Sequence, residues 1–279
     1  MAWLGGTIYA WACILHVFPS PTYYYLAPLA VIESEQKTPI TVVYPAYNEE
    51  ESLESTIRRS VQALEKFFDS FEIIIVNDAS TDSTPAIAQR LASVDERIRL
   101  INNEKNLRQG ESLLKAFAVA RGDLITHNGV DYPFDLNDLS LILPELDNHD
   151  VVVASRKGRP GYTPYRLFLS HANLLLLHLL FDMKLRDYSF IQVYKRQVVR
   201  SLLGDMKGKS TGFAMPELLL RANDAGYKIG EVSIEYLPRE AGVARAGALK
   251  VVIASLIDVF SYWRERTFKR MTATSQKGR

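Results

Sequence analysis

Cysteine is nearly missing from this sequence. Cys13 stands alone, so the chain can form no internal disulfide and no multi-cysteine zinc site. A reducing compartment is compatible with that. An excess of either charge is also missing. Thirty-three basic residues face 32 acidic ones, for a net charge of +1, and no nucleic-acid partner is expected. No acidic or basic side chain precedes Glu33. One apolar run, Ala2 to Phe18 (AWLGGTIYAWACILHVF), reaches the short end of membrane-span length. It has no basic flank and no small-residue cleavage site, which argues against a signal peptide. The following PSPTYYYLAPLAVI adds prolines and tyrosines of the kind that suit a membrane interface. Two readings of the segment stand: a membrane attachment, or a packed N-terminal arm or misplaced start codon.

Two nucleotide-binding fingerprints are absent as well. The first strand-to-helix turn reads PAYNEEE, with no glycine-rich dinucleotide motif. GDMKGKS (204–210) is one residue short of a phosphate loop. A P-loop NTPase and an ordinary dehydrogenase are thereby disfavoured.

What is present is a folded composition, 47% hydrophobic and 23% charged, organised as alternating strands and helices. ITVVYP (40–45), EIIIVN (72–77), IRLIN (98–102), DLITH (123–127) and DVVVAS (150–155) read as short apolar strands. Leu53, Ile57, Val61, Leu64 and Phe67 recur at helical spacing. Thr84-Pro85 reads as an N-cap followed by an N1 proline. Glu111 to Ala120 reads as a helix closed by Gly122 at C′, and Leu136 to Leu146 as another helix. Such repeated βαβ units predict an α/β fold with a mostly parallel sheet covered by helices. RLFLSHANLLLLHLLF (166–181) is strongly apolar. Leu249, Val252, Ile253, Leu256, Phe260 and Trp263 form a second stripe, followed by Arg264, Arg266, Lys269 and Arg270. That stripe suits a membrane interface or a packed helix equally. Arg266 to Arg279 reads as a polar, frayed tail. His171 and His178 fall near one helix face and read as core or interface histidines rather than a metal pair.

Sheets of this kind bind ligands beyond the carboxyl ends of their strands. Polar residues gather there: Tyr47-Asn48-Glu49 after the first strand, Asn77-Asp78 after the second, Asp131 after the fourth. Each cluster alone reads as turn and cap chemistry; three on one edge point to a nucleotide site.

These residues resemble a known family. PAYNEEESL (45–53), VNDASTDST (76–84), the N-x-x-x-G segment Asn106 to Gly110 and the strand-end Asp131 are similar to family 2 glycosyltransferases of the GT-A fold. SRKGRPGYTPYRLFLSHAN (155–173), RDYSFIQVYKR (186–196) and TGFAMPELLLRANDAGYKIGEVSIEYLPREAGVAR (211–245) resemble the dolichyl-phosphate mannose synthase branch. The resemblance implies an inverting hexosyltransferase that moves a sugar from a GDP-mannose or UDP-glucose type of donor to a polyprenyl phosphate. It also implies membrane association with the catalytic domain cytoplasmic. The expected organisation is an arm or anchor over 1–37, a GT-A domain over 38–246 and an amphipathic helix with tail over 247–279.

By the same resemblance, Pro45, Tyr47 and Glu49 surround the nucleotide base and ribose, and Asp78 hydrogen-bonds the base. Asp131 is the final carboxylate of the D-x-D metal motif, for Mg²⁺ or Mn²⁺. Arg156, Arg166, Ser170, Arg239 and Arg245 line the acceptor phosphate, Arg156 serving the chemistry with Asp131. Four positions depart from the pattern, the mildest being Asn77 in place of an aspartate. Gly129 replaces the first D-x-D aspartate, Pro133 the glutamine that often follows the motif, and Arg108 a usual glycine. Arg108 could offset diphosphate charge where a metal carboxylate is missing. The alternative is a non-catalytic glycosyltransferase-like protein that binds nucleotide or lipid.

Overall fold

The computed structural model describes residues 39–207, 212–235 and 249–277. Ala2 to Phe18, Arg239 and Arg245 lie outside the described residues. Seven strands form one sheet in the order β3-β2-β1-β4-β6-β5-β7. They are β1 (Ile40–Ala46), β2 (Glu72–Asn77), β3 (Ile98–Asn102), β4 (Leu124–His127), β5 (Val151–Arg156), β6 (Ile191–Lys195) and β7 (Ile229–Ile234). All pairings are parallel except those of β6, which runs antiparallel to both β4 and β5. The amino end of β6 therefore lies at the carboxyl ends of its neighbours.

The strands read as unbroken apolar runs because helices cover both faces. Alternate residues part into two cores. Val43, Ile74, Val76 and Val153 join one, and Val42, Tyr44, Ile73 and Ile75 the other. Helices α1 (Leu53–Leu64) and α2 (Thr84–Val94) and the short α4 (Leu139–Ile142) serve the second core. The first core is built with α3 (Arg108–Val119), α5 (Pro164–Leu180), α6 (Arg196–Leu202), α7 (Ala214–Asp224) and α8 (Leu249–Lys277).

The structure corrects several local expectations. Gly122 does not close α3. That helix ends at Val119 with Ala120 extended, and a Cβ on Gly122 would lie 2.3 Å from the Thr41 backbone nitrogen. The glycine is there so that the chain can pass close to β1. Ser83, not Thr84, is the N-cap of α2. The segment 136–146 is broken: α4 is a single turn between two 3₁₀ segments, as Pro144 in that stretch favours. Residues 266–277 continue α8 rather than fraying. Arg266 is buried there, bonded to both Asp224 oxygens at 2.8 Å and to Asp182 at 3.1 Å. Such paired burial removes the reason for an arginine-bearing segment to stay in water.

Candidate active site

The chain leaves β1, β2, β3 and β4 at one edge, and each exit is bent by a left-handed residue. Asn48 (φ 56°), Ala79 (59°), Arg108 (67°) and Tyr132 (48°) are the non-glycine residues with positive φ among the described ones. Asparagine tolerates this conformation; alanine, arginine and tyrosine hold it at a cost of roughly 1–3 kcal/mol each. Strain of this kind persists where surrounding contacts over-determine it, and here they do.

The β1 and β2 exits are knitted together. Asp78 N donates to Ala46 O at 2.8 Å. The Asn48 side-chain carbonyl accepts from Thr81 N at 2.8 Å, Glu49 N donates to the Thr84 hydroxyl at 2.8 Å, and Ser83 N donates to Glu50 Oε2 at 2.8 Å. Pro45, Tyr47 and Glu49 are thus held on the same edge as Asp78.

Asp78 has a structural duty that sequence reasoning missed. Its Oδ1 accepts from Leu107 N (2.8 Å) and Asn103 Nδ2 (2.9 Å), and its Oδ2 accepts from Arg108 N (2.8 Å). The buried carboxylate fastens the β3–α3 turn to the end of β2. It also fixes the backbone of Arg108, whose side chain is exposed.

Asp131 lies in the turn after β4, where Asn128 N donates to Val43 O and Tyr132 N to Gly129 O, both at 3.0 Å. A pocket of about 350 Å³ opens beside it, with Glu51, Ser55 and Arg59 of the α1 segment in its wall. The Arg59 guanidinium rests 4.0 Å from the centre of the Tyr132 ring. That contact favours the strained tyrosine in place. Among the described residues no three His, Cys, Asp or Glu side chains gather as a metal site. A Cβ on Gly129 would lie 2.4 Å from Asp131 Oδ1 and 3.1 Å from Pro133 Cδ. The space for a second carboxylate arm is filled by the first one. What remains fits an ion held by one carboxylate and otherwise by phosphate oxygens and water, a coordination Mg²⁺ accepts.

A second cluster forms at the end of β5. Arg156 Nε donates to Asp187 Oδ2 at 2.6 Å and its Nη1 to the Tyr162 hydroxyl at 2.7 Å. Arg159 reaches the same Asp187 oxygen at 3.7 Å and donates to the Ser170 hydroxyl. The Arg166 guanidinium sits 4.2 Å from the Tyr162 ring centre. Two arginines therefore share the Asp187 carboxylate, and Tyr162, which accepts from Arg156, carries a third, Arg166, on its ring face. Antiparallel β6 makes this possible by delivering Asp187, just ahead of it, to the end of β5. Arg156, Arg166 and Ser170 were expected here. Arg159, Tyr162 and Asp187 were not singled out; they stand within the SRKGRPGY and RDYSF stretches, and no spacing rule pairs them. His171 and His178 each bond a backbone carbonyl, Leu167 O at 2.7 Å and Leu185 O at 2.8 Å.

The model of the family "Glycosyl transferase family 2" matches residues 41–204. Glycosyltransferase AglD of Haloferax volcanii is 29% identical over 238 residues, covering 82% of this chain. The chain spans only 38% of that relative's length. Dolichyl-phosphate beta-glucosyltransferase ALG5C of Trichomonas vaginalis is 26% identical, covering 89% of this chain and 79% of its own. Among solved structures, glucosyl-3-phosphoglycerate synthase of Mycobacterium tuberculosis bound to UDP superposes with a TM-score of 0.61 at 21% identity, over 81% of this chain and 80% of that one. The same enzyme has been solved with Mn²⁺ and UDP. At that identity the likeness establishes the shared fold.

Proposed function

Because the chain belongs to glycosyltransferase family 2, we propose that it transfers a sugar from a nucleotide-diphosphate donor to a polyprenyl phosphate. The observation that carries the acceptor side is the arginine cluster: Arg156 and Arg159 share the single carboxylate of Asp187, and Arg166 joins them across the Tyr162 ring. Guanidinium forks match phosphate oxygens, and the excess charge suits a phosphate monoester dianion. ALG5C, whose name gives dolichyl phosphate as its acceptor, supports the choice.

In this reading the donor lies along the bent edge. Pro45, Tyr47 and Glu49 flank the nucleoside, with Asp78 holding the turn beside it. Arg108 and Asp131 face the diphosphate. A divalent ion on Asp131 and the donor phosphates would neutralise the leaving diphosphate as a Lewis acid. The acceptor phosphate, held by Arg156, Arg159, Arg166 and the Ser170 hydroxyl, presents an oxygen to the anomeric carbon. That oxygen forms the new C–O bond as the bond to the diphosphate breaks, with inversion. A phosphate already ionised at neutral pH needs no general base to attack. The domain over 38–246 is the catalytic unit in this proposal, on the cytoplasmic side of the membrane.

The test is transfer of radiolabelled sugar from UDP- and GDP-sugars into lipid extract containing polyprenyl phosphate, with and without Mg²⁺ or Mn²⁺. A labelled lipid is expected, its yield at low polyprenyl phosphate falling about tenfold in the Arg159→Ala variant. Nucleotide binding with no labelled lipid from any donor would favour the non-catalytic alternative.

A further inference from the structure

Two helices expose apolar stripes that nothing in the described residues covers. On α5, Phe168, Leu175 and Leu179 recur at helical spacing, and Leu179 is 75% exposed. On α8 the inward side is Val259, Tyr262 and Arg266, all buried, while Ile253, Ile257, Phe260 and Met271 face out, Ile257 at 62%. The sequence left α8 as either packed or interfacial. It is apolar on both sides, and one side is spent on the core.

The two helices are clamped to each other. Phe181, at the end of α5, stacks on Tyr262 with ring centres 5.7 Å apart. Asp182 accepts from Arg266 at 3.1 Å and from Arg270 at 2.6 Å. Charge decides what the stripes fit. α5 contains no carboxylate. The carboxylates of α8, Asp258 and Glu265, each stand one residue past stripe positions 257 and 264, a rotation of about 100°. Glu265 is turned to Lys207, Lys269 and Arg221. Arg264 stands exposed on the outer side, four residues from Phe260 and from Phe268. An apolar stripe bearing a cation and no anion matches a lipid surface with anionic headgroups. An uncharged apolar segment such as 2–18 would leave Arg264 without a counter-ion.

We propose that α5 and α8 together dock this protein in the plane of an anionic membrane. The inference rests on the transfer reading to this extent: an acceptor phosphate carried on a lipid reaches Arg159 and Ser170 when the first turns of α5 lie at headgroup depth.

The experiment uses the full chain with Cys13→Ser, carrying Phe168→Cys, Phe260→Cys or, as a distant control, Val94→Cys, each labelled with NBD. Vesicles of phosphatidylcholine, with and without phosphatidylglycerol, contain doxyl-labelled lipid. Blue-shifted, doxyl-quenched emission is expected at 168 and 260 but not at 94, stronger with phosphatidylglycerol. Leu175→Ser with Leu179→Ser should lower vesicle partitioning by about tenfold or more. Solvent-like emission at either 168 or 260 while the protein floats with vesicles overturns the proposal, since another segment then carries attachment. Emission already shifted without vesicles overturns it too, in favour of a second copy or the chain's own N-terminal segment. Transfer to a short, water-soluble prenyl phosphate is measured alongside. Its loss would count against the transfer reading, and the labels report docking independently of it.

Discussion

The Asp131 carboxylate lies over Gly129, its Oδ1 2.4 Å from where a Cβ on the glycine would be. The two positions cannot both carry carboxylates with this backbone and this rotamer. Gly129→Asp is therefore expected to push Asp131 aside rather than complete a metal site. Calorimetry of UDP and GDP binding with and without Mg²⁺ should show no gain in metal-dependent affinity. A tenfold gain would mean the turn re-forms to accept both groups.

Asp78 accepts three N–H bonds while buried. Asp78→Ala should therefore destabilise the domain by roughly 3 kcal/mol or more, as several charge-assisted bonds disappear and their donors stay buried. The resemblance implies that Asp78 hydrogen-bonds the base; its three buried bonds tie any such role to the stability of the domain. Urea unfolding of the variant checks this. An unchanged midpoint would mean that the β3–α3 turn does not depend on the carboxylate.

Arg108 holds a left-handed conformation that glycine adopts freely. Arg108→Gly should leave stability unchanged or raise it by up to about 1 kcal/mol. If the guanidinium compensates diphosphate charge, the same change weakens nucleotide diphosphate binding about tenfold. Unchanged binding would take Arg108 out of the donor site.

Asp187 is the counter-ion shared by Arg156 and Arg159, with all three side chains nearly buried. Asp187→Asn should cost about 3–5 kcal/mol by leaving buried charge uncompensated. Arg159→Ala removes one cation of the pair and should instead spare the fold. It should raise the KM for lipid phosphate about tenfold and leave nucleotide affinity alone. An equal loss on both substrates would contradict the division of the site.

His127 closes β4, buried against Phe117 with ring centres 6.4 Å apart. Burial lowers its pKa from 6.5 to about 4. The unfolded chain binds a proton there at a higher pH than the native one does. Stability from this group is therefore full above about 6.5 and falls as the pH drops toward 4, by on the order of 3 kcal/mol. His127→Leu should flatten that part of the acid-unfolding curve. Urea midpoints of both proteins at pH 7 and pH 4.5 give the comparison.

Local pattern was enough for much of this protein. The five strands from Ile40 to Ser155 stood out because their apolar runs are short and bounded by turn residues. The nucleotide edge stood out because strand ends in such a sheet share one side. Tertiary structure decided the rest. Asp78 is a clamp because residues 103–108, far along the chain, bring their N–H groups to it. Gly122 is a close-approach glycine because β1 runs beside it. Arg159 and Asp187 meet only because β6 reverses direction, a choice set by sheet pairing rather than by any sequence period. Residues 266–277 stay helical because Asp182, just past α5, and Asp224, at the end of α7, take up Arg266. Each is a contact between segments distant in sequence, and periodicity carries information only about a residue's near neighbours on its own element.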